Sequence, residues 1–275
     1  MKIEVLKLSD EKGRFLLRET SSAFVNAIRR SAMAEVPKMA VDYINVYDNT
    51  SSLYDEILAS RIGLIPLTAD LNSFILPEEC ECGGEGCPSC QVSLTLTAEG
   101  AKMVYSGDLF SMDPSIQPSF PDIPIVKLAD GQRVMIEAVA RLGTGKKHAK
   151  WQPAVACGYK NMPKITIKDC DKCGKCIDEC PKQLLSLNKE LKVKDLMECS
   201  LCGLCEKACA LGAIEVGVEE DAFIFVVESD GSMPVVELMI RSAEELGKKV
   251  LELKEDLESI QKDAGVAEIG QRRRT

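Results

Sequence analysis

Eight of the thirteen cysteines fall in two runs of one rhythm. Cys170, Cys173, Cys176 and Cys180 read C-x2-C-x2-C-x3-C and are followed by Pro181; Cys199, Cys202, Cys205 and Cys209 repeat the spacing 29 residues later (170 to 199). The residues after each run echo as well, CPKQLLSL and CALGAIEV. Three thiolates two residues apart can wrap one face of an iron–sulfur cubane on a tight loop. The fourth is carried off on the helix that follows and, in two-cluster proteins, ligates the other cluster. The spacing therefore predicts two [4Fe–4S] clusters, one on Cys170, Cys173, Cys176 and Cys209, the other on Cys199, Cys202, Cys205 and Cys180. Gly174 and Gly203 follow the second cysteine of each run, where a left-handed turn lets backbone N–H groups approach sulfur. Ala210 stands where the second run lacks the proline, a departure that removes no ligand. The competing assignment, a pair of zinc sites, does not call for this rhythm twice over.

Cys80, Cys82, Cys87 and Cys90 form a different pattern, C-x-C-x4-C-x2-C, within CECGGEGCPSC. Four thiols on a loop rich in glycine suit tetrahedral zinc, so this knuckle is expected to hold one zinc ion. The alternatives are reduced, unliganded thiols or a disulfide formed in air. Cys157 stands alone and reads as a small buried hydrophobe. So many cysteines in a reducing compartment indicate metals rather than disulfides. The N-terminus alternates apolar and charged residues, and no stretch approaches the ~18 apolar residues of a membrane span, so a cytoplasmic location is expected. The net charge of −9 argues against a broad grip on nucleic acid, and Arg272 to Arg274 reads as a solvated tail.

The elements that must carry these cysteines are mostly strands. Residues 1–18 read as a hairpin turning at Asp10 to Gly13, and Thr20 to Ser22 offer caps for a helix that Pro37 ends. A strand is expected over AVDYINVYDNTS and a short helix over YDEILASRIGLIPL. Residues 91–105 alternate around Glu99–Gly100 and read as a hairpin; residues 109–124 read as an irregular loop. Asp130–Gly131 turns between two strand-like runs, WQPAVACGYKNMPKITI reads as a strand pair, and AFIFVVES as a strong strand. A helix begins near Ser232–Pro234. Its Met239, Ala243, Leu246, Val250, Leu253, Leu257 and Ile260 keep spacings of 4 and 3 in alternation, a heptad seam suited to a partner helix.

Four stretches together carry a resemblance. SSAFVNAIRRSAMAEVPKMAVDYINVYDNTS followed by LASRIGLIPL is similar to the N-terminal signature of the α-like assembly subunits of multisubunit RNA polymerases. KKHAKWQPA, Lys146 to Ala154, resembles the segment that closes the inserted domain of archaeal and eukaryotic members. FIFVVESDGSMPVVELMIRSAEELGKKV resembles their last strand and dimerisation helix, and the knuckle at 80–90 the zinc loop of eukaryotic relatives. The match covers nearly the whole chain. Taken together it resembles the D subunits of archaeal DNA-directed RNA polymerases, some of which carry a ferredoxin-like iron–sulfur domain.

The resemblance implies an α+β protein: a split α-like dimerisation domain (1–45 and 217–275), an inserted mostly-β domain with the cysteine knuckle (46–164) and a two-cluster ferredoxin-like domain (165–216). It implies a non-catalytic transcription subunit that pairs with subunit L and, with subunits N and P, forms the platform for the large catalytic subunits. The seam residues would then be the partner interface, and neither sequence-specific DNA binding nor membrane attachment is expected. The competing function is a ferredoxin-like electron-transfer protein, but no G-x-G-x-x-G loop supplies a dinucleotide site. Hydrolase or transferase chemistry lacks its usual constellation: His148 is the only histidine and lies among Lys146, Lys147 and Lys150, and clustered carboxylates for metal-assisted nucleotidyl transfer are missing from the sequence pattern.

Overall fold

The computed structural model describes the backbone of residues 1–272 and the side chains of residues 1–261. In chain order the strands are β1 Lys2–Leu8, β2 Lys12–Arg18, β3 Lys38–Asn49, β4 Leu67–Thr68, β5 Gln91–Glu99, β6 Met103–Tyr105, β7 Phe110–Ser111, β8 Gln117–Pro118, β9 Pro124–Lys127, β10 Arg133–Gly143, β11 Ala154–Ile167, β12 Leu185–Leu187, β13 Leu191–Val193 and β14 Ile214–Ser229. The helices are α1 Ser22–Ala34, α2 Asp55–Gly63, α3 Lys175–Asp178, α4 Leu204–Lys207 and α5 Val235–Arg272. The chain divides into two compact units, one of Met1–Leu8, Arg14–Asn26 and Gly158–Val226, the other of Ser9–Gly13, Ala27–Cys157 and Val227 onward. Among the described residues no helix is long and apolar enough to cross a membrane.

The larger unit is built on a sheet of order β3-β10-β5-β7. Its strands alternate as a half-buried sheet requires. Leu94, Leu96 and Ala98 of β5 and Val134, Ile136, Ala138 and Ala140 of β10 point into one core, where they meet Met39 and Val41 of β3. α2 covers this face with Leu58 and Ile62, four residues apart and fully buried. β10 runs in unbroken register against β5 but shifts register against β3 at Met135/Ile136 and Val139/Ala140.

Gly143 ends β10 under the indole of Trp151; a Cβ there would meet the ring at 2.5 Å. Trp151 Nε1 donates to the Arg141 carbonyl at 3.1 Å, and Lys150 crosses the ring face at 4.2 Å while pairing with Asp42 at 3.0 Å. The end of the segment, Lys150 to Ala154, is thus packed down while Lys146 to Ala149 stay exposed, and His148 caps the turn that carries Trp151: its Nδ1 accepts the N–H of Lys150 at 3.0 Å. The opening of α5 is set in the same unit. Val235, Leu238 and Ser242 are buried, and Ser31 of α1 donates to the Ser242 carbonyl at 2.8 Å.

The smaller unit holds the cysteine runs, the β12–β13 hairpin and most of β1, β2, β11 and β14, strands ordered β1-β2-β14-β11 in their sheet. Leu16, Met162, Ala222 and Ile224 form one cluster on this sheet.

Three local expectations differ from the structure. Residues 91–105 do not fold as a hairpin: β5 pairs with β10 and β7, and β6 pairs with β9. The turn expected at Asp130–Gly131, by contrast, stands between β9 and β10, with Gly131 at φ 72°. WQPAVACGYKNMPKITI gives one 14-residue strand instead of a pair. Pro163 is tolerated within it because β11 is an edge strand, where a missing N–H breaks no ladder bond. Cys157, on this strand, is half-buried rather than enclosed, and burial still pushes its thiol up to about 11.

Candidate metal centres

The knuckle is held by a short turn after Pro77–Glu79, with the Gly83 N–H on the Cys80 carbonyl at 2.9 Å and the Cys90 N–H on the Cys87 carbonyl at 3.0 Å. These turns bring four sulfurs together. Sγ–Sγ separations are 3.4 Å for Cys80–Cys82, 3.5 Å for Cys80–Cys87, 3.6 Å for Cys82–Cys90 and 3.8 Å for Cys87–Cys90. A tetrahedral zinc with bonds of about 2.3 Å places its thiolates about 3.8 Å apart, whereas a disulfide needs about 2.05 Å. The donor set therefore fits one tetrahedral ion and no disulfide. The backbone N–H of Gly86, aided by the Cys80 thiol, lowers Cys82 to about 6, which supplies a thiolate near neutral pH.

The two long runs follow one another residue for residue. Lys172 and Leu201, Gly174 and Gly203, and Gln183 and Gly212 all adopt positive φ, each pair 29 apart. Gly174 at φ 80° and Gly203 at φ 70° start α3 and α4, the single turns that carry Cys176 and Cys205 inward. Sulfur contacts repeat with the same offset. The N–H groups of Lys172 and Leu201 reach Cys170 and Cys199 at 3.4 and 3.5 Å; those of Leu184 and Ala213 reach Cys180 and Cys209 at 3.5 and 3.2 Å. Such N–H groups stabilise thiolate charge. Leu185 and Ile214, a further pair at this offset, are both 2% exposed and share a core with Cys176, Cys205 and Leu191.

One cavity brings Cys180 of the first run together with Cys199, Cys202 and Cys205 of the second, enclosed by Ile165, Leu184, Leu185 and Val216. Cys173 and Cys202 are the exposed members of their runs. Among the described residues only the knuckle converges three or more ligand atoms within 4.8 Å of one another, so the long runs are more open than a single-ion site. That openness, the apolar enclosure and the directed N–H groups fit a polynuclear thiolate-bound group.

Arg14 and Lys160 of the sheet reach the loop before the second run, a contact that carries no motif. Lys38 and Asp230 form a nearly buried ion pair, at 4% and 10% exposure, between β3 and the turn before α5. Sequence reading missed both, because each joins residues well separated along the chain. At its start the seam runs along the buried stripe of α5, Met239 standing four residues after Val235 and Leu246 four after Ser242. Met239 and Leu246 are half-buried and Ala243 is exposed; Val250, Leu253, Leu257 and Ile260 are 57–62% exposed.

Residues 43–157 match the RNA polymerase Rpb3/RpoA insert domain and residues 169–213 the 4Fe-4S dicluster domain. This combination defines an RNA polymerase subunit of the Rpb3/RpoA class with a ferredoxin-like domain. The chain is 49% identical over 257 residues to DNA-directed RNA polymerase subunit Rpo3 of Methanosarcina acetivorans, spanning 92% of this chain and 97% of that one. It is 51% identical to the Methanosarcina mazei subunit over the same shares and 45% identical to that of Archaeoglobus fulgidus, over 94% and 98%. The chain belongs to the archaeal DNA-directed RNA polymerase subunit Rpo3 family, the D subunits that its N-terminal and C-terminal stretches led one to expect.

Proposed function

We propose that this chain is a non-catalytic assembly subunit of a DNA-dependent RNA polymerase, pairing with the small subunit L and forming with N and P the platform for the large catalytic subunits. Family membership over nearly the whole length carries this reading. The exposed apolar stripe of α5 supports it: four large aliphatic side chains on one helix face need a cover, and a partner helix at heptad spacing supplies one. In this reading 1–45 and 217–275 form the dimerisation domain, 46–164 the inserted domain and 165–216 the iron–sulfur domain.

Two [4Fe–4S] clusters occupy the long runs, Cys170, Cys173, Cys176 and Cys209 holding one and Cys199, Cys202, Cys205 and Cys180 the other; the shared cavity of Cys180 supports the exchange of fourth ligands. Cys80, Cys82, Cys87 and Cys90 hold one zinc, supported by their sulfur spacing. Bound metal supplies folding energy that short cysteine loops cannot draw from apolar burial.

The test is pull-down of tagged chain under anaerobic conditions, with partners identified by mass and iron and zinc counted. Subunit L, N, P and the large chains are expected together. Recovery of redox partners in their place would overturn the assembly role.

A further inference from the structure

Two side chains that belong to the sheet reach the loop leading into the second cysteine run. Lys160 of β11 donates from Nζ to the carbonyls of Met197 and Cys199, both at 2.7 Å. Arg14 of β2 donates from Nη2 to the Met197 carbonyl at 3.2 Å and pairs through Nη1 with Glu198. Below them Leu196 and Met197 pack on Leu16, Met162, Ala222 and Ile224 of the same sheet. The corresponding residues of the first run, Lys168 and Asp169, follow directly on β11, and the Lys168 N–H is tied to the Ala213 carbonyl at 2.9 Å. The entry to the first run is therefore placed by chain continuity, the entry to the second by side chains.

We propose that Lys160 and Arg14 are positioning residues for the second cluster, fixing the loop that presents Cys199 so that this cluster is latched to the sheet in a way the first is not. The inference rests on the two-cluster reading. Lys160 spans two carbonyls, one of them on Cys199 itself, so its loss frees the backbone of a ligand.

Full-length chain carrying Cys173→Ser, which retains the second cluster, and chain carrying Cys202→Ser, which retains the first, separate the two. Each is reconstituted anaerobically and exposed to a ferrous chelator, with iron release followed by absorbance and the reduced cluster by electron paramagnetic resonance. Lys160→Met is expected to speed release about tenfold in the first background, as loss of a supporting partner does at other metal sites, and to leave the second unchanged. Lys160→Arg should restore the slow rate. Arg18→Met, which breaks the Arg18–Glu219 pair (2.8 Å) on the same sheet, should alter neither. Equal acceleration in both backgrounds, no acceleration in either, or the same effect from Arg18→Met would overturn the latch. Should Lys160→Met fail to fold, Lys160→Gln is judged by the same criteria. Parent chain that takes up no iron would overturn the two-cluster reading itself, an outcome distinct from failure of the latch.

Discussion

At the scale of single residues, sulfur geometry separates two kinds of site. The knuckle sulfurs stand at the edge lengths of one tetrahedral ion, while Cys180 shares a cavity with ligands 19 or more positions away. Cys87→Ser with Cys90→Ser should abolish zinc uptake and leave iron unchanged, read by metal analysis; zinc retained at full stoichiometry would sink the site. Cys180→Ser should lower iron from about eight to about four per chain and erase the second cluster's spectrum while sparing the first. The Lys38–Asp230 pair makes a separate demand. Asp230 also accepts from the Ser232 N–H at 3.0 Å, so Lys38→Met leaves a carboxylate buried at the turn before α5. A loss of about 3–5 kcal/mol is expected, measured by denaturant unfolding of metal-loaded protein. The cysteine rhythm was legible because cluster ligation fixes spacing locally. Lys38–Asp230 and Lys160–Cys199 left no such mark, since the partners are set by how the sheets fold.

At the scale of elements, periodicity identified strands well and their partners poorly. β5 alternates cleanly, so its existence and its buried face were readable from Leu94, Leu96 and Ala98. The Glu99–Gly100 turn suggested the next strand as neighbour, yet the growing core favoured β10, whose register with β5 is unbroken. Turn chemistry acts over a few residues, and the apolar face acts over the whole sheet. β11 read as a strand pair, yet it is one strand that contains Gly158 and Pro163, residues that a sheet edge accommodates. The heptad spacing along α5 was readable without the rest of the fold, and the structure leaves its later members, Val250, Leu253, Leu257 and Ile260, exposed. Leu253→Glu and Leu257→Glu alter exposed positions and should leave melting temperature and metal content unchanged. Each should abolish capture of subunit L, because a carboxylate would be buried in an apolar interface. Retained pairing in both variants would show that another surface joins the partner. Leu246→Glu is a weaker test, since Leu246 is half-buried and lies beside Ala27 and Ser31 of α1.

At the scale of the whole molecule, the iron–sulfur segment is a fold within a fold. Two short runs and a small hairpin surround a core in which cysteines themselves are members. Removing iron should unfold residues 170–213 locally, seen as rapid amide exchange there, while the β3-β10-β5-β7 sheet stays protected. Cluster-free chain is expected to pair with subunit L yet to yield less assembled polymerase, because a disordered segment offers no fixed surface to the large subunits. Replacing all four cysteines of one run with serine, and measuring pairing and polymerase yield separately, checks both halves of this expectation. Normal yield would remove any role for the clusters in assembly; lost pairing would show that they support the dimerisation elements as well.

The convergence of Cys180 with Cys199, Cys202 and Cys205 also imposes an order in time. If the fourth ligands are exchanged as proposed, the earlier run leaves the ribosome with four cysteines that cannot make a finished site, since its own fourth thiol serves a cavity not yet synthesised. The site completed first is the later one, closed when residue 205 emerges; the earlier run waits for Cys209. A nascent chain halted between the runs owns half the ligands and no complete set, so iron can be committed only once the second run has emerged.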